Sequence, residues 1–68
     1  MRQYEYIEFF GNEIAIRKNL QTGNYQVIEN IPEYKIIVWG SYNNTEQGLW
    51  DARIKAKTLT KYARQGLK

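Results

Sequence analysis

The chain has 68 residues, 43% of them hydrophobic and 15% aromatic, with no Cys, no His and a net charge of +3. That apolar content excludes a disordered chain, and the length bounds the fold to a single small domain over residues 1–68. Without thiols or imidazoles there are no disulfides and no usual transition-metal ligands, so neither metal nor cofactor is expected.

Apolar residues alternate through the first forty positions and then recur at helical spacing. A first strand is predicted over Gln3 to Phe9, rich in Tyr, Ile and Phe, with Gly11-Asn12 supplying residues that tolerate positive φ in a tight turn. Ile14 and Ile16 alternate with Ala15 and Arg17 in a second strand. Gln21-Thr22-Gly23-Asn24 then reads as a turn into a third strand, Tyr25 to Glu29. Asn30-Ile31-Pro32-Glu33 interrupts the ladder, because Pro donates no backbone hydrogen bond. Tyr34 to Gly40 is the most apolar strand and is expected to be the most buried one.

Helix signals begin at Asn43-Asn44-Thr45. Asn44 is the predicted N-cap, Gln47 falls three positions later as in a capping box, and Glu46 suits the positive helix end. The helix is predicted to reach about Gln65, with Gly66 as C-cap glycine and Lys61 and Arg64 near its negative end. A rotation of ~100° per residue puts Leu49, Ala52, Ala56, Leu59 and Ala63 on one stripe. That stripe is predicted to pack on Ile14, Ile16, Val27, Ile36 and Val38, with the alanines allowing close approach. The fold class is therefore α+β: an antiparallel meander of three to four strands against one C-terminal helix.

Charge is distributed unevenly. Residues 1 to 49 hold Arg2, Arg17, Lys18 and Lys35 against Glu5, Glu8, Glu13, Glu29, Glu33 and Glu46, a net −2. Residues 50 to 68 hold Arg53, Lys55, Lys57, Lys61, Arg64 and Lys68 against Asp51, a net +5. The helical wheel gathers Arg53, Lys57, Lys61 and Arg64 opposite the apolar stripe, with Trp50 and Ile54 among them. Four cations over about three turns suit successive phosphates, and Trp50 suits base stacking. The plain alternative is a solvated outer face, for which Lys and Arg are good helix formers. A second candidate is the far sheet face, where a period of two groups Arg17, Gln26, Lys35 and Trp39 with Ala15, Ile28 and Ile37. Arg, Lys and Gln on strands can reach base edges in a major groove. A single bulge would exchange those faces.

Val38-Trp39-Gly40-Ser41-Tyr42-Asn43-Asn44-Thr45-Glu46, followed by Ala52 and Ala56, resembles the end of the last strand and the helix start of a known family. It is the three-strand-plus-helix DNA-binding domain of plant ethylene-response factors and of the arm-binding region of tyrosine-recombinase integrases. The resemblance spans about Ala15 to Ala63. It implies a sheet that reads DNA through Arg17, Gln26, Lys35 and Trp39, supported from behind by the helix. The acidic, tyrosine-rich first strand and the scarcity of cations on the sheet depart from that family.

No Gly-rich phosphate loop, nucleophile elbow or closely paired carboxylates occur, so the chain reads as non-enzymatic. Ile36 to Val38 with Trp39 is the longest uncharged apolar run, far short of the roughly 20 residues that span a bilayer, and no secretory signal is visible at the N-terminus. A cytoplasmic location without membrane contact is the expectation. Two functions from different classes follow: a small basic DNA-binding or nucleic-acid accessory module, or a protein-interaction module that binds a partner, or itself as a homodimer, through an aromatic β surface.

Overall fold

Two glycines set the first two hairpins: Gly11 has φ 77° and Gly23 φ 84°, a region that costs a side-chain-bearing residue far more. The computed structural model describes residues 3–11, 13–31 and 35–66, with the backbone alone for Ile31 and residues 61–66. Its strands are β1 (Tyr4–Phe10), β2 (Ile14–Asn19), β3 (Tyr25–Ile31) and β4 (Lys35–Tyr42), followed by the helix α1 (Glu46–Gly66). The strands form one antiparallel sheet in the order β1-β2-β3-β4, so the expected α+β meander has four strands. Asn12 and the Pro32-Glu33 part of the expected ladder break lie outside the described residues.

The second turn is organised by a side chain that its composition alone does not single out. Asn19 Oδ1 accepts the amide N–H of Gln21 at 2.8 Å and of Thr22 at 3.3 Å, while Gly23 N–H closes on the Asn19 carbonyl. An Asn side chain that imitates a backbone turn in this way holds the chain ready for the positive φ at Gly23.

The core lies between the sheet and one stripe of α1. Ile14, Ile16 and Val27 meet Ala52 and Ala56, and Phe10, Tyr25, Tyr42, Leu49 and Leu59 close its margins. The helix stripe is the expected one as far as Leu59; the side chain of Ala63 lies outside the described residues. Alanines at the contact remove the bulk that would hold helix and sheet apart, so Ile16 and Val27 are fully buried. Each such side chain contributes about 1.5–3 kcal/mol of transfer free energy.

Three expectations are corrected. β4 is not the most buried strand but an exposed edge strand, whereas β2, flanked on both sides, carries four consecutive buried residues, Ile14 to Arg17. Strand composition measures the wish to be buried; position in the sheet decides the outcome. Ile36 and Val38 do not face the helix. Between Val27 and Ile28 the register with β4 shifts, with Gly40 opposite Val27 and Val38 opposite Ile28, so one extra residue, Trp39, exchanges the faces of everything before it in β4. Val38 and Ile36 therefore share the far face with Ile28 and Asn30, and Ile37 shares the helix side with Glu29. Finally, the N-cap is Thr45, not Asn44: Thr45 Oγ1 accepts the Gly48 N–H at 3.0 Å. The third helical position is then Gly48, which has no side chain to complete a capping box.

Thr45→Ala is expected to destabilise the protein by about 1 kcal/mol, while Asn44→Ala changes stability by less than about 0.5 kcal/mol. Urea unfolding of the two variants checks this, and a larger loss from Asn44 would contradict the cap assignment.

Candidate interaction surfaces

The far sheet face is built from four rows across the strands, the last pairing Tyr4 with Asn19. Phe9, Ala15, Ile28 and Val38 lie opposite one another in the first, and Tyr6, Arg17, Gln26 and Ser41 in the second. The third pairs Asn30 with Ile36. Among the described residues no element packs against this face, since α1 lies on the other side. Ala15 and Ile28 are nevertheless buried, sheltered by the larger side chains around them, while Phe9 is 69% and Val38 47% exposed. Tyr6 and Phe9 stack with ring centroids 5.5 Å apart and planes 5° from parallel. That contact spans the bulge at Ile7, where β1 shifts register between Tyr6 and Glu8 and brings the two aromatics onto one face.

Arg17 carries the formal charge within the strand rows of this face, and it is withdrawn; the exposed Glu13 precedes β2 at the margin. Arg17 is 7% exposed, its guanidinium carbon lies 3.6 Å from the centroid of the Tyr4 ring, and its Nε donates to Gln26 Oε1 at 2.8 Å. A ring quadrupole on one face and an amide oxygen on the edge satisfy the cation without a carboxylate. The same side chain therefore ties β1 to β2 and β3.

Charges of the sheet gather on the helix side. Register places Glu5, Glu8, Lys18 and Glu29 there, in line with Ile14, Ile16 and Val27. Glu8 Oε1 accepts from Arg53 Nε at 2.9 Å, with both side chains over a third exposed, so the pair adds at most about 1 kcal/mol. Trp39, in the β4 bulge, donates its indole N–H to Glu29 Oε1 at 3.0 Å, and Lys55 Nζ lies 6.0 Å from its ring.

The sequence-predicted residues thus separate. Of the sheet group, Arg17 and Gln26 share the far face with Ala15 and Ile28, whereas the bulge sends Lys35, Ile37 and the Trp39 indole toward the helix side. Of the helix group, Arg53 turns to Glu8, its Cζ 5.8 Å from the Trp50 ring, and Lys57 is exposed. Trp50 and Ile54, one turn apart, are exposed beside it. The side chains of Lys61 and Arg64 lie outside the described residues.

Sequence reasoning offered an aromatic surface on the first strand, around Tyr4 and Tyr6, but did not join it to Ile36 and Val38, which it placed against the helix. The signal for Phe9 was the run Phe9-Phe10: two adjacent aromatics cannot both enter the core of a regular strand, so one must face outward. For Ile36 and Val38 no local signal exists, because the bulge that turns them outward depends on pairing with β3.

Among the described residues no helix is long and apolar enough to cross a membrane, and no group of three acidic side chains stands ready to hold a metal ion. Comparison with protein-family models, with curated proteins and with solved structures finds no match.

Proposed function

We propose that the chain is a non-enzymatic protein-interaction module whose contact surface is the open sheet face. The observation that carries this reading is the coincidence, on one face, of four well-exposed apolar side chains with few charges: Arg17 is buried and already partnered, and the exposed Glu13 stands at the margin beyond the strand. Soluble proteins seldom leave a contiguous apolar patch of several hundred Å² without a use for it. Aromatic anchors, aliphatic neighbours and few charges are the composition of an interface centre.

A second reading, nucleic-acid binding through the helix, is favoured by the exposed Trp50 and Lys57, two turns apart on one side of α1. Fewer free cations support it than the sequence promises, since Arg53 is paired with Glu8 and Arg17 is capped by Tyr4. Counterion release, the main source of nucleic-acid affinity, scales with the number of cations that reach phosphates.

Photoreactive benzoylphenylalanine placed at position 9 and, separately, at position 57 of the full chain separates the two in cells. Irradiation is expected to give a discrete protein adduct from position 9 and none from position 57. A nucleic-acid adduct from position 57, with nothing from position 9, would reverse the ranking.

A further inference from the structure

We infer that the open sheet face is the interface of a two-fold dimer, with a second copy of this chain as its occupant. The inference rests on the interaction-module reading and names the partner.

Three observations point to a copy of the chain rather than an unrelated partner. The first is area. Tyr6, Phe9, Ile36 and Val38 are 45%, 69%, 40% and 47% exposed. Side chains of this size carry about 150–250 Å², so these four leave about 400 Å² of apolar surface in water. The partly exposed Tyr4 and Gln26 and the exposed Ser41 and Asn30 around them bring the face to about 700 Å², close to the ~800 Å² per partner of a standard interface.

The second observation is charge. Among the described residues of this face a nucleic acid or an acidic peptide would find no free cation, and the one exposed carboxylate, Glu13, lies beyond the strand rows, opposite Asn30. Two copies meet neutral strand rows on neutral strand rows, and a two-fold between β2 and β3 sets each copy's Glu13 against the other's uncharged Asn30 rather than against a like charge.

The third is shape in register. Phe9, Ala15, Ile28 and Val38 form one straight row across the sheet. A two-fold axis parallel to the strands, passing between β2 and β3, lays this row on itself: Val38 of one copy meets Phe9 of the other, and Ile28 meets Ala15. Beside Ala15 the face has a depression of about 160 Å³, walled by Tyr6, Phe9, Ile28 and Asn30 with Glu13 at its rim. It is a fitting receptacle for one branched aliphatic side chain from the opposite β4. The contact is isologous, occurs twice, and closes the assembly at two copies. The two sheets then stack about 10 Å apart with their strands aligned.

An interface at the low end of the standard size and without a deep anchor falls at the weak, micromolar end of the range. Sedimentation equilibrium of the full chain between about 1 µM and 1 mM is expected to show the mass rising from one chain to two and no further. Phe9→Glu and Val38→Glu, each placing a charge at the centre of the contact, are expected to raise the dissociation constant at least about tenfold with an unchanged far-UV circular dichroism spectrum. Lys57→Glu, on the helix, leaves it unchanged. If either strand variant fails to fold, the other decides. A wild-type mass of one chain at 1 mM, or a dimer indifferent to both strand variants, overturns the inference. The position-9 crosslink separates this failure from that of the broader reading: an adduct of two chain masses supports both. An adduct to a different polypeptide keeps the interaction module and overturns the copy, and no protein adduct overturns both.

Discussion

Ile16→Ala is expected to cost about 3–4 kcal/mol of folding free energy, whereas Ile36→Ala costs less than about 1 kcal/mol. Ile16 is 0% exposed, sits in a strand with neighbours on both sides, and presses on the two alanines of α1. Truncation removes three carbons and leaves a cavity that flanking strands and a close helix cannot collapse. Ile36 sits on the open face of an edge strand, where water replaces whatever is removed. A small domain of this kind holds only about 5 kcal/mol in total, so Ile16→Ala leaves it near the unfolding threshold at room temperature. Urea midpoints measured at concentrations low enough to keep copies apart give the comparison. Equal losses at the two positions would mean that the bulge at Trp39 is misplaced and that Ile36 faces the helix.

Gly48→Ala is expected to destabilise the protein by about 2 kcal/mol and to lower the melting temperature by about 10 °C or more, although Ala is the better helix former. Gly48 occupies the third helical position, buried beneath the turn that leads out of β4. A Cβ built on it would overlap the Asn43 carbonyl oxygen, which already accepts the Thr45 N–H at 2.8 Å. The obstacle is backbone, so no rotamer change relieves it. The preceding loop must move, and with it the Thr45 cap. Propensity offers Ala about 1 kcal/mol here, and the displaced loop outweighs that gain. Thermal unfolding followed by circular dichroism settles the sign: a variant as stable as the parent would show that the loop yields freely.

These two positions also mark where sequence reading succeeds and where it stops. Gly11 and Gly23, the alternation of Ile14 and Ile16, and the stripe Leu49, Ala52, Ala56, Leu59 are local patterns. Each is written within a few residues and each appears in the structure as the pattern demands. The failures are non-local. Nothing in Ile36-Ile37-Val38-Trp39 reveals that its partner strand lies on one side only, or that Trp39 will occupy a bulge. Both facts arise from pairing with β3. Asn44 and Thr45 are both good caps by residue type, and the choice falls to the loop that packs on Gly48. The candidate site suffered for the same reason. Arg17 reads as a free cation until Tyr4, thirteen positions earlier in the chain, is seen to lie against its guanidinium. Arg53 reads as part of a basic stripe until Glu8, far earlier in the chain, is seen to pair with it.

The Trp39 bulge has one further consequence, for the growth of unwanted aggregates. From Ile36 to Tyr42 the outer edge of β4 carries seven residues without a charge or a proline, the kind of edge on which a stray strand can template. A continuous ladder along it would invite the outer edge of β1 from another molecule. That head-to-tail contact has no point of closure and extends into filaments. The inserted residue interrupts the even spacing of donors and acceptors in the middle of this edge and strengthens the local twist, so a straight incoming strand matches only a few residues on either side. One extra residue thereby turns Ile36 and Val38 toward the open face and leaves the edge a poor seed for a fibre.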